Sequence, residues 1–353
     1  MGRGLTAGPA RPAGGPATPP PVRVARATLR WAALLLAVAL VAAGCDAGAA
    51  GGRKAAPAST AAPVEGLAWR RLPAAPTERT EVTAAAVGGE IYLVGGYRRD
   101  GATVPTVEVF QPASGRWRRA PDLPVAVNHA MAASVGGGLH VFGGNTAEGK
   151  PSAAAFRFAD GGWRRLADLP EGRVAGTAVT VGGKVYLAGG LGPDGLARAM
   201  LVYDPAADRW SVAPGPPTPR EHLGGAGAFS RVYTVGGRAA GRGNLDAAEV
   251  FDPASSRWTS LPPLPTARGG LAAAAAGGFV VAVGGEGAAT FEEVEAFDPS
   301  SGSWRSLPPM PTPRHGLGVA AIGTVLYTLS GGPQPGLHVA ATAEALDLAP
   351  LRP

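Results

Sequence analysis

The chain has 353 residues, of which 46% are hydrophobic, and it contains 54 glycines, 35 prolines and one cysteine. Its formal net charge is +6, but five of its 32 basic residues lie in positions 1–45, which hold no acidic residue, so the rest of the chain is close to neutral. This balance argues against nucleic acid as a partner, and a lone cysteine excludes both an intramolecular disulfide and a cysteine-based zinc site.

Residues 1–45 have the features of an export signal. Arg26 and Arg30 precede an apolar run from Trp31 to Ala43, which is too short to span a bilayer comfortably. The run ends in Ala42-Ala43-Gly44-Cys45, which resembles a bacterial lipobox. We therefore expect an exported protein that is anchored through lipidated Cys45 to the outer face of the cytoplasmic membrane. Ordinary secretion with an incidental cysteine is the alternative.

Residues 46–66 show no periodicity and are interpreted as a flexible linker. From residue 67 to residue 350 the sequence repeats with a period of about 47 residues. Tryptophans recur at 69, 117, 163, 210, 258 and 304. Glycine pairs recur at 95–96, 143–144, 189–190, 236–237, 284–285 and 331–332. Two independent markers with one shared period indicate a repeat architecture.

Each repeat predicts four short strands. In the third repeat, "GTAVTV" alternates, "GG" turns, "KVYLAGG" follows, and "AMLVYDP" and "RWSVAP" complete the unit,. The first tryptophan segment, "AWRRLP", lacks preceding strands, and the last repeat lacks a tryptophan strand. The two fragments complete one unit. The prediction is an all-β, six-bladed propeller with four-stranded blades, closed by an N-terminal strand that pairs with the C-terminal blade.

Segments such as "FDPASSRWTSLPPLPTAR" at 251–268 and "FDPSSGSWRSLPPMPTPR" at 297–314, together with the glycine pairs, resemble kelch repeats. The resemblance covers residues 67–350 and implies a propeller that serves mostly as a binding platform and occasionally as an enzyme. The copper site of galactose-oxidase-like kelch enzymes needs a cysteine within the propeller, and Cys45 lies outside it. Repeated tyrosines are interpreted as blade core; they are Tyr92, Tyr186, Tyr233 and Tyr327.

The spacing of three histidines resembles that of a metal site. His129, His222 and His315 are spaced by 93 residues, which would suit a threefold site on the propeller axis. However, His222 comes two residues after Arg220, whereas His315 directly follows Arg314. Because this offset would point strand side chains to opposite faces, we expect no metal site and no cofactor.

Arginines form the candidate ligand site. Arg79, Arg173, Arg220, Arg268 and Arg314 occupy one position in five of the six repeats. In kelch adaptors of animal ubiquitin ligases, arginines at some of these positions line the binding mouth, together with the residue after them and the residue after the glycine pair. The resemblance therefore adds further candidates, which are Asn128, Glu221, His315, Tyr97, Asn145, Arg238 and Glu286. The alternative is a structural arginine that forms salt bridges between blades.

Converging guanidinium groups would favour a carboxylate-bearing ligand. The sequence thus predicts an extracytoplasmic binding module for a protein segment or an acidic glycan. The alternative function is an isomerase or epimerase of an acidic sugar such as a sialic acid, because bacterial kelch sialic-acid epimerases are exported six-bladed propellers. In that case Glu221, Glu286 and His222 would be available for proton transfer.

Overall fold

The computed structural model describes residues 1–2 and 65–351, and the propeller lies in the unit that spans residues 56–353. Apart from residues 1–2 and 65–66, the predicted export signal with Cys45 and the predicted linker fall outside the described residues. Within the described part, no helix is long and apolar enough to cross a membrane. Residues 69–347 form six four-stranded antiparallel sheets, as the repeats predict.

The strands follow the repeats closely. The N-terminal strand is β1 (Trp69–Leu72). The first repeat contains β2 (Thr83–Val87), β3 (Glu90–Val94), β4 (Val107–Gln111) and β5 (Arg116–Arg119). The second contains β6 (Val127–Asn128), β7 (Met131–Val135), β8 (Gly138–Phe142), β9 (Asn145–Thr146), β10 (Ala155–Ala159) and β11 (Gly162–Arg165).

The third repeat contains β12 (Thr177–Val181), β13 (Lys184–Ala188), β14 (Leu191–Gly192), β15 (Gly195–Leu196), β16 (Ala199–Asp204) and β17 (Arg209–Pro214). The fourth contains β18 (Gly224–Ala228), β19 (Arg231–Val235), β20 (Arg238–Ala239), β21 (Gly243–Asn244), β22 (Ala248–Asp252) and β23 (Arg257–Ser260).

The fifth repeat contains β24 (Ala272–Ala276), β25 (Phe279–Val283), β26 (Val294–Asp298) and β27 (Ser303–Ser306). The last contains β28 (Gly318–Ile322), β29 (Val325–Gly331) and β30 (Ala340–Asp347), followed by a short 3-10 helix at Ala349–Leu351. The pairs β6–β9, β14–β15 and β20–β21 are small ribbons beside the blades.

The ring closes through the N-terminal strand, which confirms the prediction. Strand β1 pairs antiparallel with β30, with Trp69 opposite Leu346 and Leu72 opposite Ala343. The first strand of each blade contacts the first strand of the blade on either side, and β2 contacts both β7 and β28. These six inner strands therefore surround the propeller axis.

The repeated tryptophans tie neighbouring blades together. In all six blades the indole Nε1 donates a hydrogen bond to a carbonyl in the proline-rich exit of the preceding blade; for example, Trp117 donates to Pro73 and Trp258 to Pro214, each at 2.8 Å. Each blade also buries its tyrosine or its counterpart between sheets, as Tyr92 and Tyr327 show. This pair of contacts explains why the aromatic-turn-tryptophan-proline segment recurs.

The last glycine pair differs from its predicted position. In the first five blades the two glycines have positive φ, and the second donates its N–H to a carbonyl of the following blade. In the sixth blade Ser330 (φ 55°) and Gly331 (φ 101°) adopt this conformation, and Gly331 donates to the Arg79 carbonyl. The structural pair is thus Ser330-Gly331 rather than Gly331-Gly332, and Gly332 rather than Pro333 follows it.

Candidate ligand-binding mouth at the propeller axis

The five repeated arginines do not line the mouth, so this part of the sequence prediction is wrong. Each of these side chains is completely buried, with 0% exposure. In the first blade, Arg79 donates to the Gly95 and Thr106 carbonyls at 2.7 and 2.9 Å and to the Glu108 carboxylate at 2.8 Å. A guanidinium that is completely buried and bonded within its own blade is not available to a ligand.

Glutamates from the third strand of the blade neutralise most of these arginines. Arg220 pairs with Glu249 at 2.6 Å and Arg314 with Glu344 at 3.1 Å, and Arg268 pairs with Glu295 in the same way. Burial lowers the pKa of Arg314 to about 10, although Glu344 opposes the shift. The ion pairs lie within single blades, not between blades as the structural alternative proposed.

Two blades depart from this pairing. In the third blade Leu201 occupies the glutamate position, and Arg173 pairs at 2.5 Å with Glu171 instead. In the second blade both partners are replaced: Val127 stands where the other five blades have arginine, and Phe156 stands opposite Val141 where four blades have glutamate. Both side chains belong to one hydrophobic cluster. The arginine and its glutamate therefore form a structural ion pair within the blade.

The residues after the arginine position and after the glycine pair do come together. Backbone bridges join Thr80 with Tyr97, Val174 with Leu191, Glu221 with Arg238, Gly269 with Glu286, and His315 with Gly332, while β6 and β9 join Asn128 with Asn145. The predicted candidates Tyr97, Asn128, Asn145, Glu221, Arg238, Glu286 and His315 therefore lie on one face, beside the starts of the inner strands.

The position two residues after the arginine forms a continuous ring around the axis. We call it the axial ring; its members are Glu81, His129, Ala175, His222, Gly270 and Gly316. All six have positive φ, between 52° and 69°. From His129 onward each N–H donates to the carbonyl of the member before it, and Val82 donates to Gly316 to complete the circle. Four of the six members are non-glycine residues in a conformation that such residues rarely adopt,.

Three members of the axial ring bring polar groups together. One ligand-capable atom from each of Glu81, His129 and His222 lies within 4.8 Å of the others. The Nε2 atom of His129 is 3.1 Å from Oε2 of Glu81, and the rings of His129 and His222 meet edge to face with centroids 4.9 Å apart. These three residues line one end of a cavity of about 350 Å³ that the inner strands enclose.

A second set of polar contacts surrounds this cluster. The Nδ1 atom of His315 lies 3.2 Å from Oε1 of Glu81 and 3.5 Å from Oε2 of Glu286. Arg238 spans two blades, donating to Glu221 at 2.9 Å and to Glu286 at 2.8 Å. We use the term axial mouth for Glu81, His129, His222 and these four residues. The axial mouth contains three carboxylates, and Arg238 is its one arginine or lysine.

The charges of the mouth depend on these contacts. Burial alone would raise the pKa of Glu81, but His129, His315 and His222 outweigh it and hold that pKa well below its ordinary value. Burial would lower the pKa of His315, but its hydrogen bond and charge interaction with Glu81, helped by Glu286, raise it. Burial, reinforced by His129, holds the pKa of His222 well below its ordinary value.

Sequence reasoning missed Glu81 and separated the histidines. It compared His222 with His315 and counted an offset of one residue. Counting from the arginine position places Glu81, His129 and His222 in one register, two residues after Arg79, Val127 and Arg220. His315 approaches the same cluster from the neighbouring register, because its Nδ1 turns toward Glu81.

Known proteins share this architecture. The model of the KLHDC2/KLHL20/DRC7 Kelch-repeats domain matches residues 81–263, and the Kelch motif model matches residues 267–311. The solved structure of YjhT aligns with a TM-score of 0.67 at 17% sequence identity, covering 77% of this chain and 95% of that protein. Among curated proteins, none matches the chain in sequence.

The match to YjhT shows a common fold, and the first family model spans more than half of the chain. Together with the six blades and their repeated tryptophan contacts, these matches establish the family. The chain belongs to the kelch-repeat proteins and folds as a six-bladed kelch propeller.

Proposed function

We propose that the chain is an exported, lipid-anchored kelch propeller that binds a glycan at the axial mouth. The observation that carries this proposal is that the structural contacts of the blades recur, whereas the side chains of the axial mouth vary. The arginine–glutamate pairs and the tryptophan contacts recur from blade to blade, whereas the side chains at the axis differ in nearly every blade and are polar in blades one, two, four, five and six.

The charges of the mouth favour hydroxyl groups over carboxylates as the ligand chemistry. Glu81, Glu221 and Glu286 supply three carboxylates, and Arg238 is already bonded to two of them. A carboxylate ligand would therefore be repelled, whereas sugar hydroxyls can donate to the glutamates and accept from Arg238. The proposed ligand is therefore a neutral glycan, in place of the acidic ligand that an arginine-lined face would have selected.

Tyr97 adds an aromatic surface to the mouth. Its ring meets that of His129 edge to face, with centroids 6.0 Å apart, and it is partly exposed. An aromatic ring next to hydrogen-bonding groups provides both an apolar contact and orientation, which is the usual composition of small-ligand sites.

A glycan array tests the proposal, followed by titration of any hit. Arg238→Ala should weaken binding of that glycan by roughly 10- to 100-fold, because a hydrogen bond to a charged group contributes about 1.5–3 kcal/mol. Arg116→Ala, an exposed change on the outer strand β5, is the matched control and should bind as wild type does. The proposal fails if wild type binds no glycan, or if Arg238→Ala binds with unchanged affinity while remaining folded.

An isomerase of an acidic sugar is the second candidate; the carboxylate of its substrate would have to replace Glu221 or Glu286 as the partner of Arg238. The observation that favours it is the placement of the His315 imidazole between two carboxylates, 3.2 and 3.5 Å away, because imidazole and carboxylate groups are the usual general acids and bases of proton transfer. Exchange spectroscopy of sialic acid anomers distinguishes the two. Accelerated anomer exchange that His315→Gln abolishes would favour the isomerase, and binding without acceleration would favour the binding module.

A further inference from the structure

Three of the six axial-ring positions carry side chains that bind metals, and the other three are small. Glu81, His129 and His222 contribute one carboxylate and two imidazoles, while the remaining members are Ala175, Gly270 and Gly316. A Cβ atom at Gly316 would lie 2.6 Å from Cδ of Glu81. The small residues therefore leave the space that the three larger side chains occupy on the axis.

The distances suit a shared ion. Each of the three residues offers a ligand atom within 4.8 Å of the other two, and Nε2 of His129 is 3.1 Å from Oε2 of Glu81. Ligand atoms about 2.0–2.2 Å from a tetrahedral zinc ion are roughly 3.3–3.6 Å apart. The distance between His129 and Glu81 is already close to that separation, and the His222 ligand atom lies within 4.8 Å of both.

Each histidine has a polar group next to its Nδ1 on the residue that precedes it, and for His129 this group is a hydrogen-bond partner. Nδ1 of His129 lies 2.6 Å from Oδ1 of Asn128, whose own Nδ2 donates to Thr103 at 2.8 Å. Nδ1 of His222 contacts the carboxylate of Glu221, which Arg238 holds in place. The hydrogen bond from Nδ1 of His129 to Asn128 leaves Nε2 of His129 with its lone pair available, which is the usual state of a metal-bound histidine,.

The carboxylate has an outer partner as well. Oε1 of Glu81 faces Nδ1 of His315, while Oε2 faces His129. Nε2 of His315 lies 3.0 Å from the Gln334 carbonyl and 3.1 Å from the Gly336 carbonyl. With acceptors next to both of its nitrogens, His315 serves as a donor to Glu81 and leaves the other carboxylate oxygen for an ion.

We propose that Glu81, His129 and His222 bind a divalent transition metal ion, with zinc as the best match, on the axis of the propeller. Imidazole ligands favour zinc and its neighbours over magnesium or calcium, and three protein ligands leave a coordination position open. All three residues line the cavity between the inner strands, through which a further ligand could reach the ion.

The experiment uses the full-length protein after treatment with a chelator and dialysis. Calorimetric titration with Zn²⁺ should show one site per chain, and Co²⁺ should give the intense visible absorption of a four-coordinate nitrogen–oxygen site. His129→Gln and His222→Gln should each weaken Zn²⁺ binding at least tenfold. Asn128→Ala should weaken it roughly 10- to 100-fold, as loss of an outer partner usually does.

His338→Gln is the matched control. His338 is exposed on the same face of the propeller, and its Nδ1 bonds to the nearby Pro335 carbonyl. This variant should bind Zn²⁺ as wild type does, and all variants should keep the wild-type circular dichroism spectrum. The proposal is overturned if wild type binds no zinc, or if folded His129→Gln and His222→Gln retain wild-type affinity. In the absence of zinc binding, the His129–Glu81 contact is an ordinary ion pair.

The metal proposal and the glycan proposal can fail separately. Zinc binding is measured without glycan, and glycan binding can be measured with a chelator present. Zinc binding without any glycan hit would support the metal site and contradict the glycan proposal. Glycan binding by a protein with no affinity for zinc would support the binding module and contradict the metal site.

Discussion

Arg220 and Glu249 form an ion pair inside the fourth blade, with Nη1 2.6 Å from Oε2 and almost no exposure of either side chain. The Arg220 carbonyl also accepts the N–H of Gly190 from the preceding blade. The same residue thus stabilises its own sheet through its side chain and the junction with the preceding sheet through its backbone.

Arg220→Ala should destabilise the propeller by about 3–5 kcal/mol, because it leaves Glu249 buried without a counter-charge. The double variant Arg220→Val with Glu249→Phe copies the residues of the second blade and should recover most of that loss. Denaturant unfolding at pH 7 measures both. If Arg220→Ala unfolds at the wild-type denaturant concentration, the pair does not stabilise the blade.

Strand β1 should prove essential for stability. Deleting residues 46–64 should leave the thermal midpoint nearly unchanged, whereas deleting residues 46–72 removes β1 and exposes the edge of β30,. The longer deletion also removes the Trp69 hydrogen bond to Pro308. A large drop in midpoint, or aggregation, is expected for that variant alone. Equal midpoints for the two deletions would contradict closure through β1.

The fold could be predicted from the sequence because the residues that recur with the period have distinct physical roles. Tryptophan, the tyrosine position and the glycine pair each make one contact that every blade needs, so their spacing predicts six blades. The sixth blade shows the limit of this reasoning. Ser330 adopts the conformation expected of glycine. Because Gly331-Gly332 is the glycine pair in the sequence, the prediction placed the structural pair one residue too late.

The site was predicted less well, because sequence position does not give side-chain direction. Arg79, Thr80 and Glu81 are consecutive, yet Arg79 points into its blade and Glu81 reaches the axis. One signal for the buried arginine was present: Glu108, Glu249 and Glu295 each precede the aromatic residue of the third strand by two positions. Their recurrence with the arginine, and the joint loss of both in the second blade, indicates a structural pair.

His140 should make the propeller sensitive to acid. It occupies the tyrosine position of the second blade, is buried at 1% exposure and lies near the rings of Phe142 and Tyr203. Burial lowers its pKa, with Arg157 and Arg164 adding to the effect and Asp208 and the Gly138 carbonyl opposing it.

The unfolded chain therefore takes up this proton first, at about pH 6.5. The contribution of His140 to the free energy of unfolding is fully present above that pH. It should fall by at most about 1.4 kcal/mol per pH unit as the pH drops below it. His140→Tyr should flatten the decline of unfolding free energy between pH 7 and pH 5, whereas His338→Tyr should not. An identical decline in wild type and His140→Tyr would contradict the assignment.

The proposed lipid anchor on Cys45 is tested by fractionation. Cys45→Ser should move the protein from membranes into the medium or the soluble envelope fraction, because each buried CH₂ of an acyl chain contributes about 0.8 kcal/mol to membrane binding. Globomycin treatment of wild type should cause accumulation of the unprocessed precursor. Wild-type protein that is fully soluble in the culture fluid would rule out the anchor.

The most direct test of the axial mouth as the functional centre is an anomalous X-ray difference map of crystals soaked in zinc, recorded above the zinc absorption edge. We expect one strong peak on the axis, about 2.0–2.2 Å from a carboxylate oxygen of Glu81 and from a ring nitrogen of His129 and of His222. A map with zinc only at exposed positions such as His338, and none among those three side chains, would contradict it.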